Sequence, residues 1–284
     1  MWLLGARPKT LPAAIVPVVV GTAAVADEEF TAWRLIAAMV VALALQVATN
    51  YANDYSDGVR GTDDDRVGPL RLVGSGAASP AAVKMAVFVA FAVAGLAGLA
   101  LVIAVSPWLL TVGAASIAAG WFYTGGSNPY GYLGLGELFV FVFFGLVATI
   151  GSAYVQTKSI TGLVVALSVS VGLFATALLV VNNLRDREGD AAAGKNTLAV
   201  RMGDHRTRLF YSGMLVVGFV IIFATAIATG RPALLIAFIG AAPAAVAIRA
   251  VLGGAEGNEL IAVLEKTGLT QLAAGLGLAL GLMF

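Results

Sequence analysis

The chain has 284 residues, 60% of them hydrophobic and 12% charged, with a net charge of +1 and a mean hydropathy of +0.93. A soluble domain must cover its core with more polar surface than this, so the composition puts the chain in a lipid bilayer. The absence of cysteine excludes disulfides, thiolate zinc sites, iron–sulfur clusters and cysteine nucleophiles, and one histidine, His205, leaves oxygen as the donor for any metal.

Apolar stretches near 20 residues long predict an all-α membrane protein of about nine transmembrane helices, at roughly 11–26, 33–56, 80–104, 107–124, 133–155, 160–185, 209–229, 231–252 and 267–284. They read as one domain over 1–284 with two long loops, 57–79 and 185–208. No small-residue cleavage site follows the apolar run behind Arg7 and Lys9, so no cleavable signal peptide is expected. Of the 17 Lys and Arg, 14 fall on the side that carries the N-terminus and both long loops, which predicts that side to be cytoplasmic, in a cell membrane.

The second predicted helix is apolar until Asn50, Asn53, Asp54 and Asp57, which at 100° per residue share an arc of about 100°. Arg60 and Asp63 follow in the loop. The sixth ends in a second stripe, Asn182, Asp186 and Asp190, at i, i+4, i+8, with Arg185 inside it and Lys195 beyond. Both contain Asn-x-x-x-Asp at the same end of an even-numbered helix, a weak internal repeat.

Carboxylates at a membrane face are costly unless they line water or bind something. A set of Asp and Asn oxygens without thiol or imidazole points to Mg²⁺, and the neighbouring Arg60, Arg185 and Lys195 suit an anion. A Mg²⁺–diphosphate site at the mouth of a greasy cavity follows, with an isoprenoid diphosphate as the natural ligand. An allylic cation needs π faces, available at Tyr123, Phe139, Phe141, Phe143, Phe144 and Tyr154.

At these residues the chain resembles the UbiA superfamily of membrane prenyltransferases. Its two Asp-rich signatures match Asn53-Asp54-x-x-Asp57 with Asp63, and Asp186-x-x-x-Asp190. Within it the chain is similar to the branch that prenylates 1,4-dihydroxy-2-naphthoate for menaquinone. The strings that carry this are Ala6-Arg7-Pro8-Lys9-Thr10-Leu11-Pro12, 65–71, Gly131-Tyr132-Leu133-Gly134-Leu135-Gly136-Glu137 and 194–201.

The resemblance implies a nine-helix fold around a cavity open sideways to lipid, and Mg²⁺-dependent transfer of a polyprenyl chain to the naphthoate with decarboxylation. It further implies that Asp54, Asp57, Asp186 and Asp190 bind two Mg²⁺ ions with Asn53, Asn182 and Asp63. Arg60, Arg185 and Lys195 would hold the diphosphate beside Asn50, and Tyr123 would face it. Arg7 or Lys9 would hold the acceptor carboxylate, and Glu137 or Asp54 would assist deprotonation of the ring. Polyprenyl diphosphate, the naphthoate and the bilayer are the expected partners, with no nucleic acid. Oligomeric state and tail length are not written in the sequence.

Plainer readings stand beside these. His205, Asp64, Asp65, Glu188 and Asp204 read as solvated loop residues, and Gly277-x-x-x-Gly281 as a packing surface between helices of one chain. A different acceptor, such as 4-hydroxybenzoate, keeps the same machinery. A transporter is the rival of another class, disfavoured because the charges gather at one face and not at the midplane.

Overall fold

The computed structural model describes residues 1–28, 30–61 and 71–284. Nine helical segments among the described residues occupy the predicted places: α1 (Pro12–Ala23), α2 (Ala32–Arg60), α3 (Pro80–Ala104), α4 (Trp108–Phe122), α5 (Gly136–Thr157), α6 (Gly162–Ala192), α7 (Asp204–Thr229), α8 (Pro232–Leu252) and α9 (Gly257–Leu282). Six are long and apolar enough to cross a bilayer, namely α2, α3 and α5 to α8. The short N-terminal helices Trp2–Gly5 and Pro8–Thr10 form with α1 a seventh such run, bent by 52°. α4 is shorter, at 15 residues, and α9 carries Glu259, Glu265, Lys266 and Gln271. The protein is a multi-pass membrane protein.

The predicted ends of α2 and α6 are too early. Apolarity stops near Asn50 and Asn182, but the backbone stays helical to Arg60 and Ala192. At 1.5 Å per residue the 29 residues of α2 and 31 of α6 span about 43 and 46 Å, against a hydrocarbon core of about 30 Å. Their last turns therefore stand out of the bilayer as rigid posts, which holds the polar stripes at the interface. Gly61, at φ 70°, ends α2 by donating its amide to Asp57 and Gly58. α9 likewise starts ten residues before the predicted 267, because its first polar turns are helical too.

Small residues set the interhelical distances. A Cβ on Gly145 would come within 3.0 Å of the Gly172 amide nitrogen, so α5 and α6 cross backbone to backbone. Gly277 of α9 meets the Ala237 Cα of α8 in the same way, at 2.7 Å from where its Cβ would be. The glycine pair of α9 thus packs inside the chain, as the plainer reading had it. α1, α6, α7, α8 and α9 build the largest apolar core, with Phe174, Tyr211 and Leu278 fully enclosed, and α6 is the most enclosed span. α2 packs on α3 through Tyr51, Val83, Val87 and Phe91. Between these two halves the helices do not close.

Candidate active site at the mouth of the cavity

A cavity of about 310 Å³ fills that space, walled by α1 to α6. Its deep part is apolar, with Val18, Ala38, Leu101, Leu109 and Val155. Toward the posts it becomes polar, with Arg7, Thr10, Gln46, Asn50, Asn53 and Asn182. α4 and α5 both face the cavity, α4 through Leu109, Val112, Gly113 and Ser116 and α5 through Phe139, Phe143 and Val147.

α5 is built for this wall. Phe139, Phe143, Val147 and Gly151 line the cavity at four-residue steps, a spacing that in a regular α-helix drifts about 40° per step. Between Phe141 and Val147 the helix takes wider i→i+5 turns, which absorb the drift and keep the stripe facing inward. Tyr123 and Tyr130 meet edge to face at 5.5 Å, Tyr130 stacks on Phe139 at 3.9 Å, and Phe139 on Phe143 at 6.0 Å. Of the aromatic residues expected in the cavity, Tyr123, Phe139, Phe143 and Phe144 line it. Phe141 instead packs on Gly172, and Tyr154 lies against the apolar cluster of Leu101 and Val105.

Above the polar end lie the carboxylates. Asp57, buried, accepts from the Tyr132 hydroxyl at 2.5 Å and the Lys195 ammonium at 3.1 Å, with Arg71 at 3.9 Å. Lys195 is also 3.9 Å from Asp190, so one ammonium bridges the two Asp-rich signatures. Asp186 is held on both oxygens by Arg185, through Nε and Nη2 at 2.8 Å each, and Arg185 also donates to the Asn182 side-chain oxygen Oδ1 at 2.9 Å. Asn53 accepts from Thr124 at 2.9 Å. The structure therefore gathers Asn53, Asp57, Asp186, Asp190, Asn182, Arg185, Lys195 and Tyr123 at one end of the bundle.

Other expected site residues are placed elsewhere. Asp54 sits at the edge of its arc, about 100° round the helix from Asn53, and its two oxygens accept the Leu72 and Val73 amides at 2.7 and 2.9 Å. It fastens the chain where it returns at Leu72 and Val73, with both oxygens engaged by those amides. Lys9 is exposed and paired with Glu265, outside the cavity, whereas Arg7 lines it with a buried Nη2 that has no hydrogen-bond partner among the described residues. Asn50 lines the cavity but spends its amide on the Ala6 carbonyl and the Thr10 hydroxyl. Arg60 reaches the Thr124 and Gly126 carbonyls and the Tyr132 ring, at the rim. Glu137 is buried, accepts from Asn183 at 2.9 Å, and is not among the residues that line the cavity. Asp63 falls outside the described residues.

Do these residues fit Mg²⁺? Among the described residues no three acidic or histidine side chains are close enough to hold an ion by themselves. A positive charge nevertheless already sits between Asp57 and Asp190, and another on Asp186, and all donors facing them are Asp and Asn oxygens. The donor chemistry fits a hard cation that keeps part of its water shell.

Sequence reasoning missed Tyr132, Tyr130, Thr124 and Gln46. Burial, followed by the charge of Asp57 and its hydrogen bond, pushes the Tyr132 phenol above its ordinary range and keeps it a donor. Gln46 could have been found, since 46, 50, 53 and 57 continue one helical stripe by steps of four, three and four. A tyrosine in a turn of Gly and Leu carries no such signal.

The chain matches the UbiA prenyltransferase family over residues 14–259. It is 50% identical, over its whole length and 97% of the relative's, to the 1,4-dihydroxy-2-naphthoate octaprenyltransferase of Mycobacterium tuberculosis (strain ATCC 25618 / H37Rv). To the protein so named of Escherichia coli (strain K12) it is 40% identical over 222 residues, 75% of this chain and 72% of that one. Among solved structures it is similar to a UbiA homolog from Aeropyrum pernix K1, with a TM-score of 0.72, 16% identity, and 97% and 96% of the two chains covered. A UbiA homolog from Archaeoglobus fulgidus bound to DMAPP and Mg²⁺ superposes with a TM-score of 0.62 at 12% identity, over 98% of both chains. With the fold, the two Asp-rich posts and these matches in agreement, the chain belongs to the UbiA prenyltransferase family.

Proposed function

We propose that the whole chain acts as one unit, a 1,4-dihydroxy-2-naphthoate polyprenyltransferase that moves a polyprenyl chain from its diphosphate to the naphthoate, releases CO₂ and diphosphate, and gives demethylmenaquinone at the quinol level. The observation that carries this is full-length similarity to an enzyme of that name, in a chain whose cavity runs from an apolar, aromatic-walled interior to a mouth ringed by carboxylates and cations. The charge asymmetry supports a mouth on the cytoplasmic side of the plasma membrane.

In this reading Asp57, Asp186 and Asp190, with the Asn53 and Asn182 side-chain oxygens, would hold Mg²⁺. When bound, the metal neutralises charge on the departing diphosphate. Lys195 and Arg185, now on the carboxylates, turn to the phosphate oxygens and stabilise the same developing charge. The Tyr123, Tyr130 and Phe139 rings face the allylic carbon and exclude water. Arg7 anchors the acceptor carboxylate.

The ring carbon that bears the carboxylate forms the new bond to the prenyl C1 as the C1–O bond to diphosphate breaks. Loss of CO₂ then returns its electron pair to the ring. No separate base is needed on this route, which agrees with Glu137 being committed to Asn183.

The test is turnover by purified protein in nanodiscs with 1,4-dihydroxy-2-naphthoate and a polyprenyl diphosphate, with Mg²⁺ or EDTA. Mg²⁺-dependent prenylnaphthoquinol and CO₂ are expected. Product only from 4-hydroxybenzoate would overturn the acceptor, and inactivity with every acceptor would overturn the reaction.

The cavity also gives an expectation about the tail. Gly151 lies 15 residues along α5 from Gly136, roughly 20 Å from the mouth, and a Cβ there meets nothing within 4 Å. An isoprene unit of four bonds extends about 4.5 Å, scaled from extended backbone, so the fourth or fifth unit passes this glycine. Gly151→Leu should lower kcat/KM for octaprenyl diphosphate about tenfold and spare dimethylallyl diphosphate. Equal effects on both donors would remove the deep cavity as the tail's path.

A further inference from the structure

We infer that Tyr132 is a positioning residue that holds Asp57, Arg60 and Lys195 in one arrangement, the hydroxyl aiming the metal-binding carboxylate and the ring carrying Lys195, the cation meant for the diphosphate, beside Arg60. The inference rests on the metal–diphosphate reading of this site and adds a residue to it.

The three groups come from separate pieces of chain. Asp57 and Arg60 stand on the α2 post, and Lys195 lies in the segment that follows α6. Lys195 reaches across to Asp57 at 3.1 Å, but each cation has a long, flexible stem. Tyr132 sits in the turn Tyr130–Leu133 between them and touches all three. Its hydroxyl donates to Asp57 Oδ1 at 2.5 Å. Its ring lies 4.8 Å from the Lys195 ammonium and 5.3 Å from the Arg60 guanidinium, and Arg60 Nη1 also approaches the hydroxyl at 3.4 Å.

The turn itself is anchored. The Tyr132 carbonyl accepts the Asn196 amide at 2.9 Å, next to Lys195, and Gly134 takes φ 69° to close the turn. Tyr132 therefore ties the α2 post to the segment behind the α6 post, and so ties the two Asp-rich signatures together.

The chemistry explains why a tyrosine suits this place. A carboxylate that must bind an ion needs its lone pairs pointed, and a neutral donor on one oxygen does this without adding charge that would compete with the metal. A π face attracts two cations at once, and it lets go of Lys195 more readily than a carboxylate would when a diphosphate arrives, since it carries no net charge. Hydroxyl and ring thus do different work, which can be separated.

The experiment measures binding of Mn²⁺ to purified protein in nanodiscs by electron paramagnetic resonance, with geranyl S-thiolodiphosphate present, for wild type, Tyr132→Phe and Tyr132→Ala. Titration of the analogue at saturating Mn²⁺ accompanies it. Tyr132→Phe should weaken Mn²⁺ binding about tenfold while affinity for the analogue stays close to wild type. Tyr132→Ala should weaken both.

Thermal melting of each variant accompanies the titrations, and Tyr132→Phe, which deletes one oxygen, should melt with the wild type. Mn²⁺ binding equal in Tyr132→Phe and wild type would overturn the inference and leave the metal–diphosphate reading intact. Failure of the wild type itself to bind Mn²⁺ with the analogue would overturn that reading and the inference with it. Equal losses of both affinities in the two variants would also overturn it, since hydroxyl and ring would then not act separately.

Discussion

Asp57→Asn and Asp186→Asn should each lower turnover about a thousandfold, the several kcal/mol of charge stabilisation that a bound metal supplies, in protein that inserts and purifies like the wild type. Asparagine keeps the shape and can still accept from Tyr132 or Arg185, so the loss isolates the negative charge. Asp57 is the group on which Tyr132, Lys195 and Arg71 converge, and Asp186 is the group Arg185 holds by both oxygens. Without its carboxylate each post leaves these cations without their counter-charge, and a metal loses a charged ligand there. Kinetics over a Mg²⁺ titration with membrane extraction as a control would show it. Near-full activity in both variants would end the assignment of these residues to the metal.

Asp54→Asn supplies the contrast within the same helix. Its two oxygens hold the Leu72 and Val73 amides, and an asparagine retains only one acceptor for them. Its cost should appear as a lower melting temperature, with the Mg²⁺ requirement of the remaining activity little changed.

The difference between Asp54 and Asp57 shows where reading the sequence stops. Helical periodicity puts both on one polar stripe, and it does so correctly. It does not say what stands opposite the edge of the stripe. That is decided by where the chain returns after the loop, a tertiary fact that no spacing encodes. Asn53, Asp57, Asp186 and Asp190 were legible because two helices repeat the same pattern at the same end, and charge at a membrane boundary demands a reason.

The helix ends were misjudged for a related cause. Apolarity marks where lipid ends, whereas a helix continues as long as its amides are paired, so α2 and α6 run four and seven residues past the ends expected at 56 and 185. Tyr132 was present in a quoted string but had no role, because its importance comes from three partners that are distant in sequence, Asp57, Arg60 and Lys195.

Arg7→Ala should raise the KM for the naphthoate about a hundredfold and change kcat less. Arg7 has a left-handed backbone, φ 53°, rare for a residue with a side chain and costly by about 1–2 kcal/mol. The surroundings impose it: the Thr10 amide and hydroxyl both donate to the Arg7 carbonyl at 2.9 Å, Gln46 donates to that hydroxyl, and Asn50 holds the Ala6 carbonyl. Strain retained by four hydrogen bonds serves to aim the guanidinium into the cavity, where Nη2 is buried without a partner among the described residues.

A buried cation of that kind is expensive until an anion joins it, and a planar fork matches a carboxylate. Truncating one member of a buried charged pair costs about 2–5 kcal/mol, the source of the expected factor. Arg7→Lys should restore little, because an ammonium cannot reproduce the fork. Lys9→Ala should behave like the wild type, since Lys9 points outward to Glu265. The decisive comparison uses 1,4-dihydroxynaphthalene, which has no carboxylate. Its affinity as a competitive ligand should be the same for wild type and Arg7→Ala, because the residue has nothing on that molecule to bind. If Arg7→Ala weakens both ligands equally, Arg7 shapes the cavity and does not read the carboxylate.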